Sequence, residues 1–295
     1  MTAHHSILFG VALCGLFCSA PARAEEPALH LGIVLLSKAE LPATKALIES
    51  YAKFPGPGKA LVPTEAASPA GKGAEKKSEG PAPLGFDLGD GVEGAITLSS
   101  VPFPKGEAEN HADYSLSFPP GQKPESLGTH RAHLLVGVHG GEPKTLASLE
   151  RFTRFIAAIT DATPHALGVY WAGARATHSR EFLLDLAKAP EAASKLILWN
   201  GFKLALLEDG RPSVLSLGMS QLGILDLWIV GPKGTDLPSL IEWEFNLLAY
   251  AMNRGSAIPD GDTMGLTETQ SILVKHVTSP IDPEKKVWKI ELPTE

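Results

Sequence analysis

Large apolar residues recur at two spacings along the chain, and these spacings predict strands that alternate with helices. Strand-like runs of the first half are Leu29–Leu36, the pair Phe86–Leu88 and Val92–Val101, Arg131–His139, and Ala166–Trp171. Helical spacing predicts one helix from Pro42 to Phe54 and a second from Glu142 to about Thr160. The order strand, helix, strands, helix, strand is typical of a split βαβ layout.

The second half is organised around the stretch from Trp199 to Val277. Asp209-Gly210 lies between two apolar runs and predicts a hairpin, because glycine adopts positive φ without a Cβ clash. A strand at Ile224–Val230, a nearly all-apolar helix and a strand at Ile272–Val277 follow. We expect Gly255 to end this helix. The expected buried face of the helix comprises Leu240, Trp243, Leu247, Leu248 and Ala251.

Together these patterns predict an α+β fold with a mixed, mostly antiparallel sheet or sheets, helices packed on one face, and split βαβ-like halves. We expect residues 25–295 to form a single composite domain whose halves cover residues 29–172 and 173–295. Residues 55–83 are rich in Pro, Gly, Ala, Lys and Glu and hold almost no large apolar side chain. Since such a segment buries too little surface to offset the entropy of ordering, we predict a disordered insertion there.

The first 24 residues predict export. Ile7–Ala20 is an apolar run of signal-peptide length, too short to span a bilayer comfortably, and Ala22-Arg23-Ala24 has the small-x-small pattern of a cleavage site. The residues before the run include no Lys or Arg, and an uncleaved N-terminal anchor is the alternative interpretation. We expect a periplasmic or extracellular protein with no stable membrane span after cleavage.

Charge and cysteine content exclude several functional classes. The formal net charge is −7 and no basic tract is present, which argues against nucleic acid as a partner. Both cysteines, Cys14 and Cys18, lie in the predicted signal, so the mature chain would hold neither a disulfide nor a thiolate metal site nor a Cys nucleophile. The sequence predicts no cofactor and gives no indication of an oligomeric state.

The most prominent polar motif is the loop Asp260-Gly261-Asp262-Thr263-Met264-Gly265. Two carboxylates one residue apart can converge on a cation, but a calcium loop requires an oxygen ligand in place of Met264 and a Glu in place of Ser271. The alternative is a tight turn held by aspartate side chains that accept backbone N–H groups. We therefore take Asp260, Asp262 and Thr263 as candidate binding residues, predict a structural role for Asp262, and expect no metal.

A second motif, Gly218-Met219-Ser220-Gln221-Leu222-Gly223, nearly matches a nucleophile elbow. The match fails because Leu222 replaces the second glycine and a strand follows where a helix is required. We interpret the motif as a turn in which Ser220 and Gln221 bind local backbone groups or a ligand. The histidines His111, His130, His133 and His139 are close in sequence, but the His-Glu-x-x-His zinc pattern is absent.

Several of these motifs together resemble a bacterial family, the domain of unknown function 4261. The resemblance covers Arg131 to Leu292 and rests on the segments Tyr170-Trp171, His178–Phe182, Gly201–Leu204, Leu217–Gly223 and Asp260–Gly265. It implies no activity, cofactor or catalytic residue.

A weaker likeness links the final helix, the Asp260 loop and the strand Ile272–Val277 to the suppressor-of-fused superfamily. The members of that superfamily bind other proteins and are not enzymes, so this likeness favours a binding function.

Two hypotheses about function follow. The first is an exported, non-enzymatic domain that binds a protein or peptide, motivated by the lack of any intact catalytic motif. The second is a hydrolase in which Asp260 or Asp262 forms an acid–base pair with a nearby histidine, since a carboxylate beside an imidazole is a workable general base. The sequence favours the first and predicts no catalytic residue.

Overall fold

The computed structural model describes residues 29–64, 82–103, 128–265 and 271–293. Its larger sheet has seven strands in the order β2-β3-β4-β5-β1-β6-β7, and each neighbouring pair is antiparallel. The strands are β1 (Leu29–Leu36), β2 (Val62–Thr64), β3 (Leu84–Gly89), β4 (Val92–Ser99), β5 (Ala132–Gly140), β6 (Ala166–Trp171) and β7 (Ala176–Ser179).

The second sheet has five strands in the order β13-β14-β10-β9-β8, and a separate two-stranded sheet pairs β11 with β12. Within the five-stranded sheet, β10 and β14 are parallel and the other pairs are antiparallel. The strands are β8 (Gly201–Leu206), β9 (Pro212–Leu217), β10 (Asp226–Val230), β11 (Thr263–Gly265), β12 (Ser271–Leu273), β13 (Lys275–Thr278) and β14 (Lys286–Glu291).

Five α-helices accompany the sheets in the described ranges. They are α1 (Thr44–Tyr51), α2 (Leu146–Ala162), α3 (Arg180–Ala187), α4 (Ala192–Trp199) and α5 (Leu237–Arg254), and a 3-10 turn covers Met219–Leu222. Apolar side chains of both sheets and of all five helices join one continuous buried cluster. The predicted α+β class with mostly antiparallel sheets is therefore confirmed.

Helix starts differ from their predicted positions, several short elements were missed, and the strand expected at Ile272–Val277 is divided between β12 and β13. The helix expected at Pro42 begins at Thr44, and the helix expected at Glu142 begins at Leu146, after Thr145 caps it by accepting the Ser148 N–H at 3.1 Å. Strand β7 and helix α4 were not predicted, and Trp199 ends α4 instead of opening the hairpin. Short elements give little periodicity, so tertiary packing decides them.

Part of the predicted disordered insertion has a definite structure. Val62–Thr64 pairs with β3, and Leu61 beside it is buried in the core. Arg154 donates to the carbonyls of Gly56 and Gly58, which fixes the chain before this strand. For residues 55–64 the prediction is wrong, because a few backbone and core contacts order a segment whose composition alone predicts disorder. Residues 65–81 and the predicted signal at 1–24 lie outside the described residues.

The buried face of α5 also differs from the prediction. Leu240, Leu247, Leu248 and Ala251 are buried as expected, but the side chain beside them in the core is Glu244, and Trp243 is 36% exposed. A helix that is apolar on most of its surface does not reveal which face turns inward. Within the described residues, no helix has the length and apolar character needed to cross a membrane.

Candidate binding cleft

A narrow cleft lies where the turn between β6 and β7 meets one face of the five-stranded sheet. Leu215, Leu217 and Val287 form its apolar floor, since they share one face of the sheet. Polar residues surround this floor from the β6–β7 turn, the 3-10 turn and the β13–β14 loop. They are Gly173, Arg175, Gly218, Ser220, Asp226, Ser279, Asp282 and Lys285, with Ile281 beside them.

Asp226 is the most constrained polar group of the cleft. Its Oδ1 atom accepts the backbone N–H groups of Gly218 at 2.8 Å and Met219 at 2.9 Å. Burial raises the pKa of Asp226 to about 6, although these two N–H groups and the positive charges of Lys285 and Arg175 act in the opposite direction. The carboxylate is therefore mostly ionised at neutral pH, and its orientation is fixed by Oδ1. Its Oδ2 atom makes no hydrogen bond with the residues that the structure describes.

The backbone around Gly218 creates this arrangement. Gly218 has φ of +141°, and a Cβ atom at this position would collide with the Trp199 carbonyl. Only glycine therefore fits the turn, which points two consecutive N–H groups at Asp226 in the manner of a small anion-binding concavity. The elbow-like motif is thus a turn between two strands, as interpreted from the sequence.

The two polar candidates of this turn have different surroundings. Gln221 accepts the indole N–H of Trp171 at 2.9 Å and donates to the carbonyls of Trp199 and Gly218, both at 3.0 Å. Its amide connects β6 of the first half to the turn of the second half. Ser220 is exposed and lines the cleft, so it is the one of the pair that a ligand could reach.

The other side chains around the cleft differ in how they are paired. Lys285 and Asp282 form an ion pair at 3.3 Å, and Ser279 accepts the N–H of Ile281 at 3.4 Å. Arg175 has φ of +51° and is exposed beside the cleft. Arg175 was not among the predicted binding residues, because nothing in the local sequence distinguishes it from an ordinary surface residue.

The loop of Asp260 and Asp262 lies apart from the cleft and is held by its own backbone. Asp260 accepts the backbone N–H of His276 at 2.7 Å, and Asp262 uses its backbone carbonyl to accept the N–H of Val274 at 2.8 Å. Both aspartate side chains were expected to hold the loop. Asp260 does so, whereas the Asp262 carboxylate makes no hydrogen bond with the described residues. Thr263 opens β11 and is exposed. No group of three metal-ligating side chains occurs among the described residues.

Most of the histidines considered for metal binding or catalysis are engaged with backbone carbonyls, whereas Nε2 of His139 lies 3.3 Å from a carboxylate oxygen of Glu93. His276 donates from Nε2 to Ile258 at 2.8 Å, and His178 donates from Nε2 to Leu198 at 3.1 Å. Burial lowers the pKa of His178 to about 4. His130 and His133 donate to the carbonyls of Phe103 and Val101, and His111 lies outside the described residues. Because the ring of His276 is turned to Ile258, it does not form the imidazole–carboxylate pair expected of a hydrolase.

Glu244 of α5 lies on the opposite face of the same sheet, beside Ser216. It is completely buried, and neither of its carboxyl oxygens has a well-formed hydrogen bond within the described part of the chain. Burial raises the pKa of Glu244 well above its usual range, the Ser216 backbone and hydroxyl oppose this change, and the negative charge of Asp226 adds to it. Burial therefore favours the protonated, neutral form of Glu244.

Comparison with known families places most of the cleft in one recognised segment. Residues 215–291 match the model of the domain of unknown function DUF4261. The predicted resemblance is confirmed for this segment, which is shorter than the predicted range of Arg131 to Leu292. The DUF4261 segment contains Asp226, Ser220 and the Asp260 loop, whereas Gly173 and Arg175 lie outside it.

No curated protein and no solved structure matches the chain. The weaker likeness to the suppressor-of-fused superfamily stays a prediction.

Proposed function

We propose that the protein is an exported, non-enzymatic domain that binds a protein or peptide, and that the cleft around Asp226 is the binding site. The observation that carries this proposal is the state of the Asp226 carboxylate. One oxygen is fixed by two N–H groups and the other makes no hydrogen bond with the described residues. A half-buried carboxylate oriented in this way is a prepared acceptor for a donor from outside.

The shape and composition of the cleft support a protein or peptide ligand. Its apolar floor of Leu215, Leu217 and Val287 is small and is bordered by charged groups. Such a site accommodates a polar side chain with its stem on the floor, while the neighbouring residues of the ligand lie along the charged rim. Interfaces commonly rely on a few anchoring side chains that enter pockets of this kind.

The hydrolase hypothesis receives less support from the described geometry. That hypothesis pairs the carboxylate of Asp260 or Asp262 with a nearby imidazole ring. Asp260 contacts the backbone N–H of His276, and the ring of His276 is bound to the Ile258 carbonyl. The Asp260 loop does not line the cleft either.

Selection from a peptide library would test the binding proposal. Random peptides displayed on phage would be selected on residues 25–295 of the wild type and then measured against two variants. Ser220→Trp fills the cleft from an exposed position, and Ser256→Trp places the same side chain at an exposed position just beyond α5. We expect selected peptides to bind the wild type and Ser256→Trp and to lose binding to Ser220→Trp.

Peptides that bind all three proteins equally would show that the cleft is not the site. Melting curves of both variants serve as the control for folding, because both substitutions are at exposed positions and should cost little stability.

Export is the second part of the proposal and rests on the pattern of residues 1–24. Expression of the full chain with a C-terminal tag, followed by cell fractionation and mass measurement, would test it. We expect a product that begins at Glu25 in the periplasm or the medium. A full-length product retained with the membrane fraction would support the uncleaved anchor instead.

A further inference from the structure

Arg175 occupies a backbone conformation that suits glycine better than arginine. Its φ of +51° lies in the left-handed region, where the Cβ atom of an L-residue approaches the backbone. The turn is closed by hydrogen bonds from Ala174 to Trp171 and from Arg175 to Ala172, both at 3.2 Å. Because glycine adopts this conformation without strain, local stability does not explain the arginine.

The side chain of Arg175 also lacks a partner among the residues that the structure describes. The described residues provide no ion pair and no hydrogen bond for its guanidinium group, which lines the cleft close enough to act on the charge of Asp226. Two other non-glycine residues of the described ranges have positive φ, Asp90 and Lys144. Asp90 uses its side chain to pair with Arg151 at 2.7 Å, whereas Lys144 does not line the cleft. A strained residue with an unused side chain at a cleft suggests a functional role.

The charges of the cleft define what Arg175 could bind. Lys285 is paired with Asp282, so Asp226 and Arg175 are the charged groups of the cleft that have no ion pair among the described residues. Asp226 offers an acceptor to a basic group, and the planar fork of Arg175 matches the two oxygens of a carboxylate. A ligand with only a basic group would leave Arg175 unpaired, and a ligand with only an acidic group would be repelled by Asp226.

We propose that Arg175 binds a carboxylate of the ligand, so that the cleft selects a peptide segment in which an acidic residue lies next to a basic one. This inference rests on the proposed function, because it names the chemistry of the ligand for the same cleft. Arg175 then determines specificity, and its strained backbone is retained for binding instead of for folding.

Selection of the same peptide library on the variant Arg175→Gly tests this inference. Lys144→Gly is the matched control, since it removes a basic side chain and relieves positive φ at a position outside the cleft. We expect peptides selected on the wild type and on Lys144→Gly to be enriched in Asp or Glu beside Lys or Arg, and peptides selected on Arg175→Gly to lose the acidic enrichment. The wild-type peptides should bind Arg175→Gly about tenfold more weakly or worse, as expected for a lost charge-assisted contact.

Melting temperature is a second readout. A structural role of Arg175 and its proposed binding role predict opposite changes in the melting temperature of Arg175→Gly. Arg175→Gly should melt at the same temperature as the wild type or higher, because the strain in the turn is relieved. A lower melting temperature would show that Arg175 supports the fold and would overturn the inference. Peptides selected on the wild type that lose binding to Ser220→Trp but lack acidic residues would also overturn the inference. They would leave the proposed function intact. Peptides that bind Ser220→Trp as tightly as the wild type would instead refute the proposed function.

Discussion

Replacement of Glu244 by glutamine should stabilise the protein increasingly as the pH rises. The side chain is completely buried in α5, and burial raises its pKa well above the usual range. A carboxyl group whose folded pKa is raised binds its proton more tightly in the folded chain than in the unfolded chain. The contribution of Glu244 to stability is therefore lost as the pH rises from the unfolded pKa of 4.5 towards the folded value. Glutamine has a similar shape and does not ionise.

The size of the effect follows from linkage between proton binding and folding. In the window between the two pKa values the wild type should lose about 1.4 kcal/mol of unfolding free energy per pH unit through this group. The free energy of unfolding of Glu244→Gln should not show this decrease with pH. The two proteins should thus be close in stability near the lower end of the window and should separate as the pH increases.

Urea unfolding of both proteins between about pH 5 and about pH 8 would measure the difference. Glu242→Gln is the matched control, because Glu242 is on the same helix and exposed, and its variant should follow the wild type at every pH. If the free energy of unfolding changes with pH in the same way for the wild type and for Glu244→Gln, the pKa of Glu244 is not raised in the folded protein. A Glu244→Gln variant that is less stable at high pH would show that Glu244 is ionised and paired.

Three further changes test other parts of the structure. Asp260→Ala should cost about 1 kcal/mol in urea unfolding through the lost bond to His276, whereas Asp262→Ala should stay within about 0.5 kcal/mol, because the Asp262 carboxylate is exposed. Gln221→Ala should lower stability by about 2 kcal/mol, since it leaves the Trp171 N–H without its acceptor, and Ser220→Ala should not. Burial lowers the pKa of His178 to about 4, so stability should fall as the pH decreases below about 6.5, and NMR titration should find the ring neutral at pH 5.

Elements with a strong local signal were predicted well from the sequence. The bounds of β1 and β6 agree with their apolar runs, and the Asp209-Gly210 turn and the left-handed cap at Gly255 follow from glycine's freedom at positive φ. The face that α5 buries was not predictable in the same way. Its apolar surface fits several rotations, and the packing against β9 and β10, which placed Glu244 inside and Trp243 outside, depends on contacts distant in sequence.

The cleft could not be assembled from local patterns for a related reason. Ser220 was identified because its motif is unusual, but Asp226 opens an ordinary strand and Arg175 lies in the short β6–β7 turn of the seven-stranded sheet, which was not predicted. Their proximity depends on how the β6–β7 turn docks against the second sheet, through the bond between Trp171 and Gln221. A single sequence holds no record of such a contact.

Asp226 and Glu244 lie on opposite faces of one sheet, and their surroundings favour different protonation states. Asp226 has two N–H donors and nearby positive charges, so most of it ionises at neutral pH despite burial. Glu244 has no well-formed hydrogen bond in the described ranges and lies near the negative charge of Asp226, so its surroundings favour the protonated form. If both were ionised, each would raise the pKa of the other, because their interaction is mutual. A protonated Glu244 leaves Asp226 as the single negative charge of the pair, which is the state that a basic ligand group requires.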